Sequence, residues 1–317
     1  MSSLLARFAQ NSYWMARYVE RAENLARVLE VNETFARDAQ GANDWLPILK
    51  LNCDEDRFFE RYREATSEAV IRFYIIDTDN PNSIVSSVRA ARENARSIRH
   101  LISVETWTQL NVFSNWVGTL TPRGVTVSGL SRLCGRIKEG CQLHSGIVAG
   151  TLYRDQVWSF YRLGTFTELC DQVTRLVDIK YHALLPPDRD VGSPVDIAQW
   201  NALLRSASAY HGYRRVFPSQ MSPTTVAGFI LLNPRFPRSL PHCVEHIEAA
   251  LAGLLANEAL EHLVFPTDSL EALKELTSRS PESVIAGGLH EYLDQVQIAL
   301  FDFGSQVATT FFQVDKR

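Results

Sequence analysis

Cysteine is sparse in this 317-residue chain. Cys53, Cys134, Cys141, Cys170 and Cys243 make an odd number with no CxxC pair, which argues against both a disulfide framework and a zinc knuckle. Glycine and proline are also few. At 16 and 13 residues they make up about 9% of the chain, against a usual sum near 12%, so turns should be scarce and elements long. The longest apolar stretch, around Ala249 to Ala256, falls far short of the roughly 18 residues a bilayer crossing needs. The opening MSSLLARFAQN has no signal-peptide apolar region, so a cytoplasmic protein is expected. An excess of one charge is missing as well: 32 Lys and Arg stand against 36 Asp and Glu, for a net charge of −4. That balance gives no general attraction to nucleic acid or to an anionic membrane. No P-loop, GxGxxG or GxSxG string occurs, so neither a nucleotide site nor a serine hydrolase is expected within the chain. Cys141 and Cys170 could act as nucleophiles only beside a histidine that sequence alone cannot place.

What is present is material for a large core, with 45% hydrophobic and 21% charged residues. From Ser12 to Ala36, Trp14, Tyr18, Ala22, Leu25 and Leu29 recur at three- and four-residue steps, the spacing of one helix face. The same periodicity predicts helices over Phe58 to Ile76, from Pro81 through Ile98, and over about 104–117, 127–149, 155–184 and 194–215. Further helices are predicted over 222–232, 237–255, 268–277 and 282–313. Asn80 is positioned to cap the helix through Ile98, with Pro81 as its first residue. Strand alternation and hairpin turn pairs are nearly absent, so the predicted fold is all-α.

The chain also resembles itself at a fixed offset. Shifted by 148, Tyr13 to Asn32 lies over Tyr161 to Lys180, placing Glu20 on Glu168, Glu23 on Asp171, Arg27 on Arg175, Glu30 on Asp178 and Val31 on Ile179. Shifted by 156, Phe73 falls on Phe229, Asp77 on Asn233, Pro81 on Pro237, Ser83 on Ser239 and Val88 on Val244. The expectation is one domain over 1–317, a helical bundle of two degenerate repeats at about 1–152 and 153–317. No Pro/Ser-rich linker separates them, so they should pack as one body.

On a helical wheel the apolar residues of Tyr13 to Asn32 fill one broad arc. Arg17, Glu20, Asn24 and Arg27 lie opposite, with Arg21 at the border. Spacing alone reads this as a solvated face in which Glu20 pairs with Arg17 and Glu23 with Arg27. A second charged row, Arg89, Arg92, Arg96 and Arg99 with Glu93 and Asn94, could cradle phosphates or an acidic peptide, or simply face water with Glu93 as an internal partner. Asp77-Thr78-Asp79-Asn80 alternates oxygen ligands as a calcium loop does, but Asn82 and Val88 stand where such a loop needs glycine and glutamate, which leaves helix capping. His242-Cys243-Val244-Glu245-His246 fits the H-x-x-E-H pattern of inverted zinc peptidases. No third ligand is identifiable there, so no metal is expected.

The string YWMARYVERAENLARVLEVN (Tyr13 to Asn32) resembles the Glu-Arg signature of the bacterial alpha-E domain family. RFYIIDTDNPNSIVSSVRAARENARSIR (Arg72 to Arg99), LGTFTELCDQVTRLVDIKY (Leu163 to Tyr181) and FILLNPRFPRSLPHCVEHI (Phe229 to Ile247) are similar to its later blocks, in family order. The third block departs from the family's Gly-Arg-x-x-Glu-Arg-Ala: Thr165 and Leu169 replace the two arginines, while Glu168 is kept. The resemblance implies a helical protein encoded beside, or fused to, a circularly permuted ATP-grasp ligase, often with a transglutaminase-like peptidase nearby. It implies ATP-driven formation or modification of amide bonds in small peptides, with ATP and Mg on the partner ligase and no cofactor in this chain. In this reading Glu20 and Arg21 are catalytic. Arg17, Asn24, Arg27, Arg89, Arg92, Glu93, Asn94, Glu168 and Arg175 bind a peptide or amino-acid substrate. Arginine and glutamate side by side can hold a carboxylate and an ammonium, though an ordinary ion pair has the same composition. A helical scaffold, which could also self-associate, is the alternative. A zinc hydrolase resting on the histidine pair is the weakest reading.

Overall fold

The computed structural model describes residues 6–38, 45–184, 194–219, 221–257, 260 and 263–312, and among them there are α-helices and no strand. The predicted all-α fold is what is found. In chain order the helices are α1 (Ala6–Asp38), α2 (Leu46–Leu51), α3 (Glu55–Phe59), α4 (Ser67–Ile75), α5 (Ile84–Ser97), α6 (Val104–Gly118) and α7 (Leu130–Thr151). Then follow α8 (Gln156–Leu184), α9 (Pro194–Ser206), α10 (Tyr210–Val216), α11 (Pro223–Leu232), α12 (Leu240–Leu255), α13 (Thr267–Thr277), α14 (Pro281–Ala286) and α15 (Leu289–Phe311). The side chains of Ile179 and Lys180, where the self-match ends, and residue 313 lie outside the described residues.

Three predicted helices are each broken in two. Over 58–76, Tyr62 folds back to stack on buried Phe58 at 4.7 Å, and the chain restarts at Thr66, whose side chain caps α4 by accepting from Ala69 N. Over 194–215, the break is at Ser208, with φ of +58°. Over 282–313, it is at Gly288, with φ of +97°, where a Cβ would come within 2.1 Å of Glu291 Oε2. Glycine is required at that turn. Helix α2 has only six residues, too few for periodicity to reveal. Asn80 does not cap α5. Its Nδ2 donates to Phe73 O and its Oδ1 accepts from Asn82 N, which builds the preceding turn. Ser83 is the cap, accepting from Ser86 N at 3.2 Å.

Helix α1 is central, packed on α5, α7 and α8. The contact of Phe8 with His100 places the end of α5 at the start of α1, and those of Glu23 with Gln142 and Glu30 with Ser131 show α7 running antiparallel to α1, as α5 does. Helix α8 instead runs parallel: Ser12 Oγ donates to Val157 O, Arg17 meets Glu168 and Asn24 meets Gln172. The two axes come close at Gly164, where a Cβ would lie 2.2 Å from the carbonyl oxygen of Tyr13. Helix α2 packs on α8, and α9 packs on α1.

The segments after α2 and α9 share one local geometry. Cys53, with φ of +53°, donates to Lys50 O at 3.0 Å, and Asp54 N donates to Leu49 O at 3.0 Å. Ser208 donates to Arg205 O at 3.0 Å, and Ala209 N donates to Leu204 O at 2.7 Å. The rings that follow match too. Phe58 stacks on Tyr62 and meets Phe73 edge-on at 5.2 Å, while Tyr213 lies against Phe217 and meets Phe229 edge-on at 5.6 Å.

Candidate functional site

The charged side of α1 is not solvated. Glu20, Glu23, Asn24 and Arg27 are all buried, because α7, α8 and α9 pack around that side. Arg17 Nε donates to Glu168 Oε2 at 2.6 Å, and Arg21 donates from Nε to Oε1 at 2.8 Å and from Nη2 to Oε2 at 3.1 Å. The expected Glu20–Arg17 pair is therefore replaced by a fork of two guanidiniums on one fully buried carboxylate. Burial alone would raise the Glu168 carboxyl; Arg21 and Arg17 override it and hold the group well below the usual carboxylate range. Gln172 Nε2 donates to the same carboxylate at 2.9 Å, and Asn24 donates to Gln172 Oε1.

The other expected pair is present within a larger cluster. Glu23 Oε1 accepts from Arg27 Nη2 at 2.5 Å, from Arg238 Nη2 at 2.9 Å and from Gln142 Nε2 at 3.3 Å. Arg27 also donates to Ser206 O and Ser208 Oγ, tying α1 to the α9–α10 corner. Glu20 stands beside this cluster. Its Oε2 is buried with no hydrogen bond, 3.9 Å from Arg238 Nη1. Burial and the charge of Glu23 push its carboxyl up to about 7, against the pull of Arg238 and Arg27. The Cys141 thiol is pushed up by burial and by Glu23. That of Cys170 is pushed up by its hydrogen bond to Cys243 and by burial. A raised thiol disfavours the thiolate that a nucleophilic cysteine needs.

Beside the Glu168 fork is a cavity of about 190 Å³. Arg21, Asn24, Asp171, Gln172 and Arg175 supply its polar wall, Leu25 and Val28 an apolar floor, and Asn52, Cys53, Tyr74 and Asn82 the facing side. Arg175 donates from Nε to Asp171 Oδ2 at 2.9 Å and from Nη1 to Leu51 O at 2.8 Å. Arg21 Nη1 and Arg175 Nη2 therefore have no hydrogen-bond partner among the described residues. The cavity has a filled counterpart. Asp171 and Asn82 line the cavity, whereas at the positions the self-match pairs with them, Glu23 and Arg238, the arginine reaches the carboxylate. Asn82 is too short to do this, and its amide is turned to Asp54 at 3.2 Å.

Of the site residues predicted from sequence, Arg17, Arg21, Asn24, Glu168 and Arg175 are brought together across α1 and α8, and Glu20 and Arg27 lie in the adjoining cluster. Arg89, Arg92, Glu93 and Asn94 are elsewhere. Arg92 donates to Asn111 on α6 and to Glu93, Arg96 pairs with Glu93, and Arg92 and Arg99 lie against Trp107. That row serves the α5–α6 contact. At the two departures from the signature, the Thr165 hydroxyl donates to Tyr161 O and Leu169 is buried in the core, so both guanidiniums on Glu168 come from α1. Asp77 accepts from Arg61 at 2.9 Å and from Asp79 N at 3.0 Å, an ion-paired turn. His242 and His246 pack ring to ring at 4.4 Å against Phe166. Among the described residues no three His, Cys, Asp or Glu side chains are grouped to hold a metal. Periodicity missed Asp171, Gln172, Asn82, Cys53 and Arg238. The self-match carried a signal for Arg238, whose partner at the same offset is the shorter, uncharged Asn82.

A family model, Alpha-E, described as a predicted alpha-helical domain with a conserved ER motif, matches residues 4–312. Uncharacterized proteins of Mycobacterium bovis and of two strains of Mycobacterium tuberculosis are each 24% identical over 311 residues, 92% of this chain and 34% of theirs. The chain thus spans about a third of the length of the curated relatives it matches. No solved structure matches it.

Proposed function

The chain belongs to the Alpha-E family, and from that footing we propose that it holds the substrate of an ATP-dependent system that forms or modifies peptide and amide bonds. The observation carrying this reading is the cavity beside the Glu168 fork. Two arginines there keep a free donor each, on the same wall as the Asp171 carboxylate and the amides of Asn24 and Gln172. Arg21 Nη1 and Arg175 Nη2 suit a substrate carboxylate. Asp171 suits an ammonium, and Asn24 and Gln172 suit the amide between them. At about 190 Å³ the cavity is below the roughly 300–1,000 Å³ of sites for drug-sized ligands, which favours an amino acid or a very short peptide. The holding role falls on Arg21, Asn24 and Arg175, with Arg17 and Glu168 fixing Arg21 in place. Glu20 and Arg27 stand outside the cavity, and Glu20 is the buried carboxyl nearest neutrality for proton transfer. ATP and Mg would be bound by a partner ligase of the ATP-grasp type, and a transglutaminase-like peptidase would act on the same peptides.

A scaffold is the competing reading, supported by Arg17 and Arg21 both closing on Glu168. Asn82→Arg separates the two. The new arginine would fill the cavity and pair with Asp171, as Arg238 pairs with Glu23. The expected result is a folded protein that no longer takes up dipeptides in calorimetric titration. It should also no longer support ATP-dependent product formation with its ligase, followed by mass spectrometry. Unchanged product formation by the folded variant would rule out the cavity and leave the scaffold.

A further inference from the structure

Away from the cavity, Arg154, Trp158, Arg162 and Phe166 follow one another at four-residue steps along one face of the chain entering and running through α8. The Arg154 guanidinium lies 3.5 Å from the centroid of Trp158. That of Arg162 lies 5.3 Å from Trp158 and 4.1 Å from Phe166. Phe166 continues the ladder to α12, with His246 at 4.5 Å and His242 at 6.2 Å.

The ladder is rich in positive groups and lacks matching acids. Arg17, Arg21, Arg27, Arg61, Arg92, Arg175 and Arg238 each meet a carboxylate. Arg162 is half-buried, yet no side chain or carbonyl among the described residues accepts a hydrogen bond from it, and the same holds for His242 and His246. Stacking on two rings fixes the guanidinium plane and leaves its N–H edge free. Burial and the neighbouring charges of Arg162 and His242 lower the His246 imidazole, with Glu245 the opposing charge. A half-buried cation without an acid is unfavourable unless something else brings the charge. A bound cation does not fit, because Arg162 repels it and no third His, Cys, Asp or Glu joins the two histidines, which meet edge to face at 4.4 Å, among the described residues.

We infer that this cation–aromatic ladder is a binding site for a phosphate group, whose oxygens accept from Arg162, His242 and His246. A tetrahedral anion offers acceptors to donors arriving from two helices, whereas a carboxylate would be satisfied by Arg162 alone. The site is independent of the cavity reading, since the two share no residue.

Pyrophosphate and AMP serve as probes, with acetate as the control, titrated at constant ionic strength into the full chain. Heat and the fluorescence of Trp158, which lies between two guanidiniums, report binding. Saturable pyrophosphate binding near or below about 1 mM, weakened about tenfold or more in Arg162→Gln, is the expected result. Trp158→Phe should lose most of the fluorescence change and keep the heat. AMP binding as tightly as pyrophosphate marks a terminal phosphate ester as sufficient, while pyrophosphate binding alone marks a diphosphate. Should Arg162→Gln fail to fold, the double variant His242→Gln/His246→Gln makes the same test. Binding unchanged in the folded variants, no saturation with either phosphate probe, or acetate binding as tight as pyrophosphate would each overturn the assignment.

Discussion

Arg17 and Arg21, one turn apart on α1, close on the two oxygens of a single carboxylate, Glu168, which has no exposure to solvent. Removing the acid leaves two largely buried guanidiniums without their shared counter-charge. Glu168→Gln is expected to cost about 3 kcal/mol or more, read from urea unfolding. Arg21→Ala should cost clearly less, because Arg17 still neutralises the carboxylate. Equal losses in the two variants would show that the fork does not act as a shared pair.

The α1–α8 approach is tested at glycine. Gly164→Ala places a methyl group into the Tyr13 carbonyl, and backbone cannot yield as a flexible side chain does. A loss of about 2 kcal/mol or more is expected. At Gly146 on α7, an added methyl group would meet nothing within 4 Å, so Gly146→Ala should stabilise by up to about 1 kcal/mol through helix propensity. Thermal melts of the two variants should move in opposite directions.

Two carboxyls set opposite pH slopes. The native Glu20 carboxyl titrates near 7, above its ordinary 4.5. The native state therefore binds that proton more tightly than the unfolded chain does. Stability from this group is full below about 4.5 and is lost as pH rises through 7, an effect of about 3 kcal/mol for a shift of this size. Glu168 is held low, so its contribution is present above 4.5 and lost as pH falls below it. Unfolding free energy should thus peak on the mildly acidic side. Glu20→Gln should flatten the decline between pH 5 and 8 without changing the acid limb. A decline as steep in the variant would place the titrating group elsewhere.

Cys53 is the exposed cysteine at the cavity wall, and the other four are buried. A thiol reagent should modify one cysteine rapidly in the native protein and all five in denaturant. A dipeptide that occupies the cavity should slow the first reaction, and Asn82→Arg should slow it without ligand. Rapid modification of two or more native thiols would contradict the packing of α7, α8 and α12.

Much of the helix inventory was legible because apolar periodicity persists over the long elements, α1, α5 and α8 above all. The breaks at Ser208 and Gly288 were not, because each depends on one residue with positive φ inside an unbroken apolar rhythm. The burial of Glu20, Glu23 and Arg27 was hidden for a different reason. A wheel separates polar from apolar residues but cannot tell water from a neighbouring helix that brings Glu168 or a turn that brings Arg238. The cavity was invisible because it is defined by the shortness of Asn82 and by a turn around Cys53, neither of which has a periodic signature.

The parallel run of α1 and α8 has a consequence for the order of folding. Their contacts join residues about 150 positions apart, as Asn24 and Gln172 do, so this central contact closes late and slows folding. A nascent chain must hold α1 until α8 has left the ribosome. Throughout that wait the Arg17, Glu20, Arg21, Asn24 and Arg27 side is open to water, and its charges keep the waiting helix soluble. The polarity that resembles a surface in the sequence is the surface of the unfinished molecule.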